Sequence, residues 1–376
     1  MTTVAIDLRM YGMSGIGRYL QSVMPEVLPR LQSERIIVFG NADLLMQESW
    51  ASGGRVEIRN ERARIFSIQE QLNAFRRDYM RSGLLWVPQY NVPVAYRGKL
   101  VVTIHDLCQL AHPETLGSDL QRWYARTLIS RAVRQADAVL CVSKFTRAEI
   151  GKYLDVDCSR ITVTYPGRGL AAQETHVRPV HAAGRPYILA VGNVKPHKNL
   201  RRLISAFELT RDRIEHDLVI VGKRDGFLNA EKLPAGSSAA SDDRIRFTGH
   251  ISDEELLGYY RSADALMFPS LYEGFGFPLV EAMAQGCPVA CSNIASLPEV
   301  AGDAALLFDP YDIDQIAVAL FAVASDAPLR QQMVKKGFER AAKFSAERCG
   351  QQTADVINTL LGGSQTRFGM RWPVVH

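Results

Sequence analysis

The stretch ALMFPSLYEGFGFPLVEAMAQGCPVACS, residues 265–292, decides how the rest of the chain is read. Its two short apolar runs, ALMFPS and CPVACS, have the length and bounds of buried strands. Between them, Pro278 suits the first turn of a helix, where its missing N–H costs nothing. The segment is therefore a strand–loop–helix–strand unit, the building block of a parallel α/β sheet. Glu273 and Glu281 bracket Gly-Phe-Gly-Phe-Pro in its loop and helix start. Gly274 and Gly276 let the backbone approach a ligand closely, and N–H groups at a helix start grip anions or hydroxyls. A helix start decorated only with favourable acids needs neither both glycines nor an acid upstream of them.

The same texture extends in both directions. VAID (4–7), RIIVFG (35–40), LLWVP (84–88), LVVTIHD (100–106) and AVLCVS (138–143) read as strands of a first series. YILAVG (187–192), DLVIVG (217–222), IRFTG (245–249), ALMFPS, CPVACS and AALLFD (304–309) form a second. Amphipathic segments such as GRYLQSVMPEVLPRL and NLRRLISAFEL alternate with them, the pattern of parallel α/β architecture. Between the two series, residues 171–186 are polar, Pro/Gly/Ala-rich and without periodicity, as a linker should be. The expected division is a domain over 1–175, a second over 185–355, and a helix end and tail over 356–376. Two Rossmann-like domains facing a central cleft are predicted, with ligands beyond the C-terminal ends of the strands.

Bulk properties narrow the class. The 376 residues exceed one ordinary core, and 47% are hydrophobic and 22% charged, as in soluble globular proteins. No run approaches the roughly 18 apolar residues of a membrane span. Asp7 and Arg9 interrupt the apolar start, so MTTVAIDLRM does not read as a signal peptide. Six scattered cysteines without a CxxC pair read as reduced thiols of a cytoplasmic protein. Residues 1–180 hold 23 Lys+Arg against 17 Asp+Glu, the remainder 21 against 23. The basic half points to an anionic partner such as a phospholipid surface, although such an excess also fits a solvated surface. Nothing points to nucleic acid.

E-GFGFPLV-E, with seven residues between the glutamates, resembles the EX7E motif of retaining glycosyltransferase family 4, which has the GT-B fold. The continuation AMAQGCPVACSNIASLPEVAGDAALLFDP is similar to the family's, as are VGNVKPHKNL, TGHISDEEL, VVTIHDL and SGIGRYL. The resemblance implies a nucleotide-sugar donor. Glu281 would bind the ribose hydroxyls and Glu273 the donor sugar, with the backbone N–H groups of Phe275, Gly276 and Phe277 close by. A carboxylate suits a vicinal diol because it accepts two hydrogen bonds at once. Lys198 would face the diphosphate, and Gly249, His250 and Ile251 the base. The loop of Gly15, Ile16 and Gly17 would close over the phosphates, and His105 would face the donor sugar in a positioning role. His105, Glu273 and Lys198 are thus the expected catalytic set. The family usually pairs the lysine with an arginine earlier in its loop; here Asn193 stands there, with Lys195, His197 and Arg224 as possible substitutes.

Other expectations follow from the same resemblance. The donor is expected to be GDP-mannose, with UDP- or dTDP-sugars as alternatives. The acceptor would be a glycan or lipid-linked oligosaccharide of cell-surface polysaccharide synthesis, bound on the first domain near Trp86 to Pro93. No metal is expected, because Asp312 and Asp314 in YDIDQ read as helix caps rather than as a DxD site. Ser143 is expected near the domain boundary. Residues 63–83, ARIFSIQEQLNAFRRDYMRSG, read either as a basic amphipathic helix for peripheral contact with the inner face of an anionic membrane or as a core-facing helix. An epimerase and a catalytically silent binding subunit are the rival readings.

Overall fold

A computed structural model describes residues 2–62, 82–113, 118–170, 184–192, 195–222 and 243–362. The chain divides into two units, Met1–Gly169 with Ser345–His376, and Leu170–Phe344. The linker over 171–183 and the tail from 363 lie outside the described residues.

The first unit holds β1 (Thr3–Asp7), β2 (Arg35–Gly40), β3 (Val56–Asn60), β4 (Leu84–Val87), β5 (Lys99–Ile104), β6 (Ala138–Cys141) and β7 (Ile161–Val163). All pair in parallel in the order β3-β2-β1-β4-β5-β6-β7. The second holds β8 (Tyr187–Val191), β9 (Asp217–Val221), β10 (Ile245–Gly249), β11 (Ala265–Phe268), β12 (Val289–Ser292) and β13 (Ala305–Phe308), ordered β10-β9-β8-β11-β12-β13. β1, β2, β4 and β5 are almost wholly apolar and buried, as are β8, β9, β11 and β12, because helices cover both faces of such sheets. Each sheet reverses its strand order once, between β1 and β4 and between β8 and β11. At such a reversal the connections leave in opposite directions and open a crevice beyond the strand ends.

The expected boundary at 355 cuts the helix Ala346–Gly362, which belongs as a whole to the first unit. The reason is long-range packing. A Cβ at Gly350 would come 2.3 Å from the Cβ of Glu26, so glycine lets this helix seat on the helix Ser14–Val27. Asn358 donates to the Arg30 carbonyl at 2.9 Å and accepts from the Gln32 N–H at 2.8 Å. The Lys99 ammonium caps the Leu360 carbonyl at 2.6 Å. All six cysteines are free thiols. Among the described residues, no helix is long and apolar enough to cross a membrane.

Candidate donor-binding site

The second unit's reversal point is where two of its expected site residues, Lys198 and Glu273, meet. β11 ends at Phe268, and the loop that follows carries Glu273. Gly276 caps the helix Phe277–Ala284 with φ 95° and ψ 57°, a left-handed conformation natural to glycine. A Cβ there would also lie 2.8 Å from Leu297 Cδ2. The loop is held rather than free: the Ser296 hydroxyl lies 2.9 Å from the Glu273 carbonyl and 3.1 Å from that of Phe275. Phe275 packs edge-on against Phe277 and Phe344, with centroids at 5.2 and 5.3 Å. Ser296→Ala should therefore lower stability by about 1–2 kcal/mol, since it strips a buried anchor from two carbonyls. Urea unfolding of the variant checks this, and an unchanged midpoint would contradict it.

From β8 the chain reaches the turn Pro196–Lys198 and the helix Leu200–Thr210. The Leu271 N–H donates to the His197 carbonyl at 2.7 Å. Asn199, in the left-handed region at φ 57°, donates to the Pro269 and Pro310 carbonyls at 3.1 and 2.7 Å. The turn is thus tied on both sides of Lys198 to the segment leading to Glu273. Gly192 leaves room for the lysine stem, whose Cδ and Cε would lie 3.3 Å from an added Cβ. The result is an ion pair, Lys198 Nζ to Glu273 Oε1 at 2.5 Å, with both side chains about 15% exposed. Asn193 and Arg224 lie outside the described residues.

Glu281 falls in the second turn of the helix Phe277–Ala284 and is 2% exposed. The Tyr260 hydroxyl donates to its Oε2 at 3.0 Å, which fixes one edge of a carboxylate that is costly to bury unaided. Tyr260 stands on the helix Asp253–Ser262, whose start is locked by the Ser252–Glu255 capping box. Immediately before that cap come Gly249, at φ 77° beside a bulge in the β9–β10 pairing, the exposed His250 and the half-buried Ile251. Ser296, Asn199 and Tyr260 escaped sequence reading. Only Asn199 left a local signal, as a residue that tolerates the left-handed turn before a helix.

In the first unit, His105 follows β5 and touches both sides of that sheet's reversal point. Its Nε2 lies 2.9 Å from the Pro88 carbonyl beyond β4, and its ring packs edge-on against Tyr19 of the helix after β1, centroids 4.8 Å apart. A carbonyl only accepts, so Nε2 carries the proton and the neutral ring keeps Nδ1 as an acceptor. Desolvation pulls the imidazole's pKa down from 6.5 to about 4, against the opposing pull of the Pro88 carbonyl. Nδ1 is therefore a poor general base at neutral pH. The sign for stability follows: the unfolded chain takes up a proton near pH 6.5, the folded one near pH 4. Stability supplied by the neutral ring is complete above pH 6.5 and falls by roughly 3 kcal/mol as pH drops to about 4. His105→Asn should flatten that limb in unfolding curves collected against pH; parallel curves would contradict it.

Two expectations change, those for the Gly15 to Gly17 loop and for Trp86. Gly15, Ile16 and Gly17 belong to the first turn of the helix Ser14–Val27, not to a loop. A Cβ at Gly17 would lie 2.6 Å from the Tyr11 carbonyl, so this glycine is a packing requirement; a Cβ at Gly15 would meet no other element within 4 Å among the described residues. Trp86 is fully buried, with its indole N–H on Thr103 at 3.0 Å, so it is core rather than acceptor surface. Ser143 caps the helix Lys144–Leu154, and its partner Thr146 ties that helix to the His105 carbonyl at 3.2 Å. Asp312 is the expected helix cap, accepting from the N–H groups of Asp314 and Gln315. A buried pair unnoticed in the sequence, Asp7 with Arg9, closes the end of β1, Nε to Oδ1 at 2.9 Å.

Comparison with known proteins agrees with this architecture. The family model "Glycosyl transferases group 1" matches residues 172–340 and "Glycosyltransferase Family 4" matches residues 57–171. The O-antigen chain mannosyltransferase B of Escherichia coli is 30% identical over 93% of this chain and 97% of its own. A Salmonella typhimurium O-antigen chain mannosyltransferase is 31% identical over 56% of this chain and 57% of its own. A serotype-specific mannosyltransferase of Escherichia coli is 27% identical over 74% of this chain, which spans 35% of that longer protein. Among solved structures, sucrose-phosphate synthase from Thermosynechococcus elongatus superposes with a TM-score of 0.73 at 19% identity, covering 97% of this chain and all of the other. WaaG, a glycosyltransferase involved in lipopolysaccharide biosynthesis, gives 0.70 at 17% identity over 96% of this chain and all of its own. With a 30%-identical relative spanning nearly all of both chains and two family models meeting at residue 171, the chain belongs to the family 4, group 1 glycosyltransferases of the GT-B fold.

Proposed function

We propose that this glycosyltransferase moves mannose from GDP-mannose to a hydroxyl of a glycan or lipid-linked oligosaccharide in cell-surface polysaccharide synthesis, with retention at the anomeric carbon and without a metal. The observation that carries the donor site is the Lys198–Glu273 ion pair at the reversal point of the second sheet, beside the turn at Gly274 to Phe277. The names of the mannosyltransferase relatives support the sugar and the pathway class.

Each residue then has a task. The diphosphate draws the Lys198 ammonium away from Glu273, and the N–H groups at Phe277 add the positive end of a helix to the departing phosphate. Glu273, released, accepts hydroxyls of the hexose. Glu281, oriented by Tyr260, accepts those of the ribose. His105 offers Nδ1 to a sugar hydroxyl, and the open helix start at Gly15 suits an anion. The base lies against Gly249, His250 and Ile251. The first unit receives the acceptor, in contact with the cytoplasmic face of an anionic membrane.

The test is transfer from labelled GDP-mannose, UDP-glucose or dTDP-rhamnose to polyprenyl-linked saccharides in EDTA, with the product's anomeric configuration read by NMR. The expected product is an α-mannoside from GDP-mannose alone. An inverted product, a requirement for added metal, or transfer only from another donor overturns the corresponding part. Donor consumption without acceptor would point to an epimerase.

A further inference from the structure

Asn199 stands between Lys198 and the helix Leu200–Thr210 and is 3% exposed. A carboxamide has two N–H donors and an oxygen acceptor, and both ends of this one are used. The nitrogen donates to the Pro269 carbonyl beyond β11 and to the Pro310 carbonyl beyond β13. The oxygen accepts from Arg202 Nη1 at 2.9 Å. Arg202 in turn lies over the Tyr311 ring, 5.5 Å from its centroid. Tyr311 follows Pro310 in the chain, so the contacts close a ring. Asn199 reaches Pro310 by a hydrogen bond, and Tyr311 leads back to Asn199 through the guanidinium. The place of Arg202 is otherwise unfavourable. It lies in the first turn of its helix, which holds no acid, and a cation there opposes the helix dipole. The specific partners offset that cost. A guanidinium only donates, so it meets the carboxamide oxygen and turns the nitrogen toward the two carbonyls. The half-exposed Tyr311 gives it a ring face to stack on.

We propose that Arg202, held over Tyr311, is a positioning residue of the donor site: it orients Asn199 and so fixes the turn that presents Lys198. The inference deepens the proposed function and rests on its reading of Lys198 as the diphosphate contact. Lys198 meets Glu273 at 2.5 Å, and the backbone that carries it there is joined to β11 and β13 through the Asn199 side chain. A small displacement of a charge donor costs affinity and rate without unfolding anything. Direct contact with phosphate is the competing role for Arg202. Its guanidinium is instead engaged by the Asn199 oxygen and the Tyr311 ring.

The experiment combines calorimetric GDP binding with NMR of the Asn199 side-chain amide protons, in the full chain and in Arg202→Met, Arg202→Lys, Asn199→Gly and the double variant Arg202→Met with Asn199→Gly. Glycine keeps the left-handed turn at 199 and deletes the amide signals, which assigns them. Arg202→Met is expected to weaken GDP binding about three- to tenfold and to speed hydrogen exchange of those amide protons. Arg202→Lys, which still donates to the oxygen, should recover most of both. In the Asn199→Gly background, Arg202→Met should add nothing, because the arginine acts through that carboxamide. Wild-type affinity and exchange in Arg202→Met would overturn the proposal. So would a loss of affinity that persists in the Asn199→Gly background, which would give the arginine a direct contact with the ligand. If exchange responds as expected in a chain that binds no GDP, the Arg202–Asn199 anchor stands and the donor-site reading falls.

Discussion

Replacing Lys198 by methionine is expected to lower kcat for glycosyl transfer by about 10²–10³-fold, the usual cost of deleting one charge donor from a developing anion. Methionine keeps the length and apolar stem that pass Gly192, so packing changes little. The ammonium is a cation that the structure brings to the reversal point between β8 and β11, its turn tied there by Asn199 and by the His197–Leu271 bond. Its present partner is Glu273, at 2.5 Å. A diphosphate must compete with that carboxylate, so the two residues should respond oppositely to product. Lys198→Met should weaken nucleoside diphosphate binding, whereas Glu273→Gln should leave it as tight or tighter while transfer falls. Steady-state kinetics with calorimetric binding of the diphosphate separates them. Equal kcat in Lys198→Met and wild type would remove the lysine from the chemistry.

Glu281→Ala has the second large effect. Loss of the ribose hydrogen bonds should cost roughly 1–3 kcal/mol of nucleotide affinity, about 5- to 150-fold in Kd. The variant also leaves the Tyr260 hydroxyl without the acceptor it has at 3.0 Å. Tyr260→Phe is therefore the control: it keeps the carboxylate but frees its orientation, and should cost about 0.5–1.5 kcal/mol. An affinity unchanged in Glu281→Ala, with a folded variant, would contradict the ribose assignment.

The fold was legible where burial makes sequence monotonous. The four inner strands of the second sheet, β8, β9, β11 and β12, stand out because a parallel strand covered on both faces is a nearly continuous apolar run. β3 did not: VEIRN sets Glu57 and Arg59 on a half-buried edge, and they bond to each other instead of interrupting anything. β7 is only three residues, ITV. The return of the helix Ala346–Gly362 to the first unit depends on contacts with residues 26–32, which no local window contains. The site divides the same way. Its glycine turn and its two acids are local and readable. The Lys198–Glu273, Tyr260–Glu281 and Ser296–Glu273 contacts join residues 75, 21 and 23 positions apart. Strand order, not spacing, makes those pairs. Gly15 to Gly17 misled for a related reason, since glycines in a loop-like string also serve a helix start pressed against the Tyr11 carbonyl.

The most direct measurement is calorimetric titration of GDP into the protein in EDTA, beside UDP, dTDP and ADP, repeated on Glu281→Ala. The account predicts that GDP binds without metal, more tightly than the others, and that the variant loses about 5- to 150-fold. If no nucleoside diphosphate binds, or if GDP binds the variant as it binds the wild type, the donor site described around Lys198, Glu273 and Glu281 is not where the nucleotide sits.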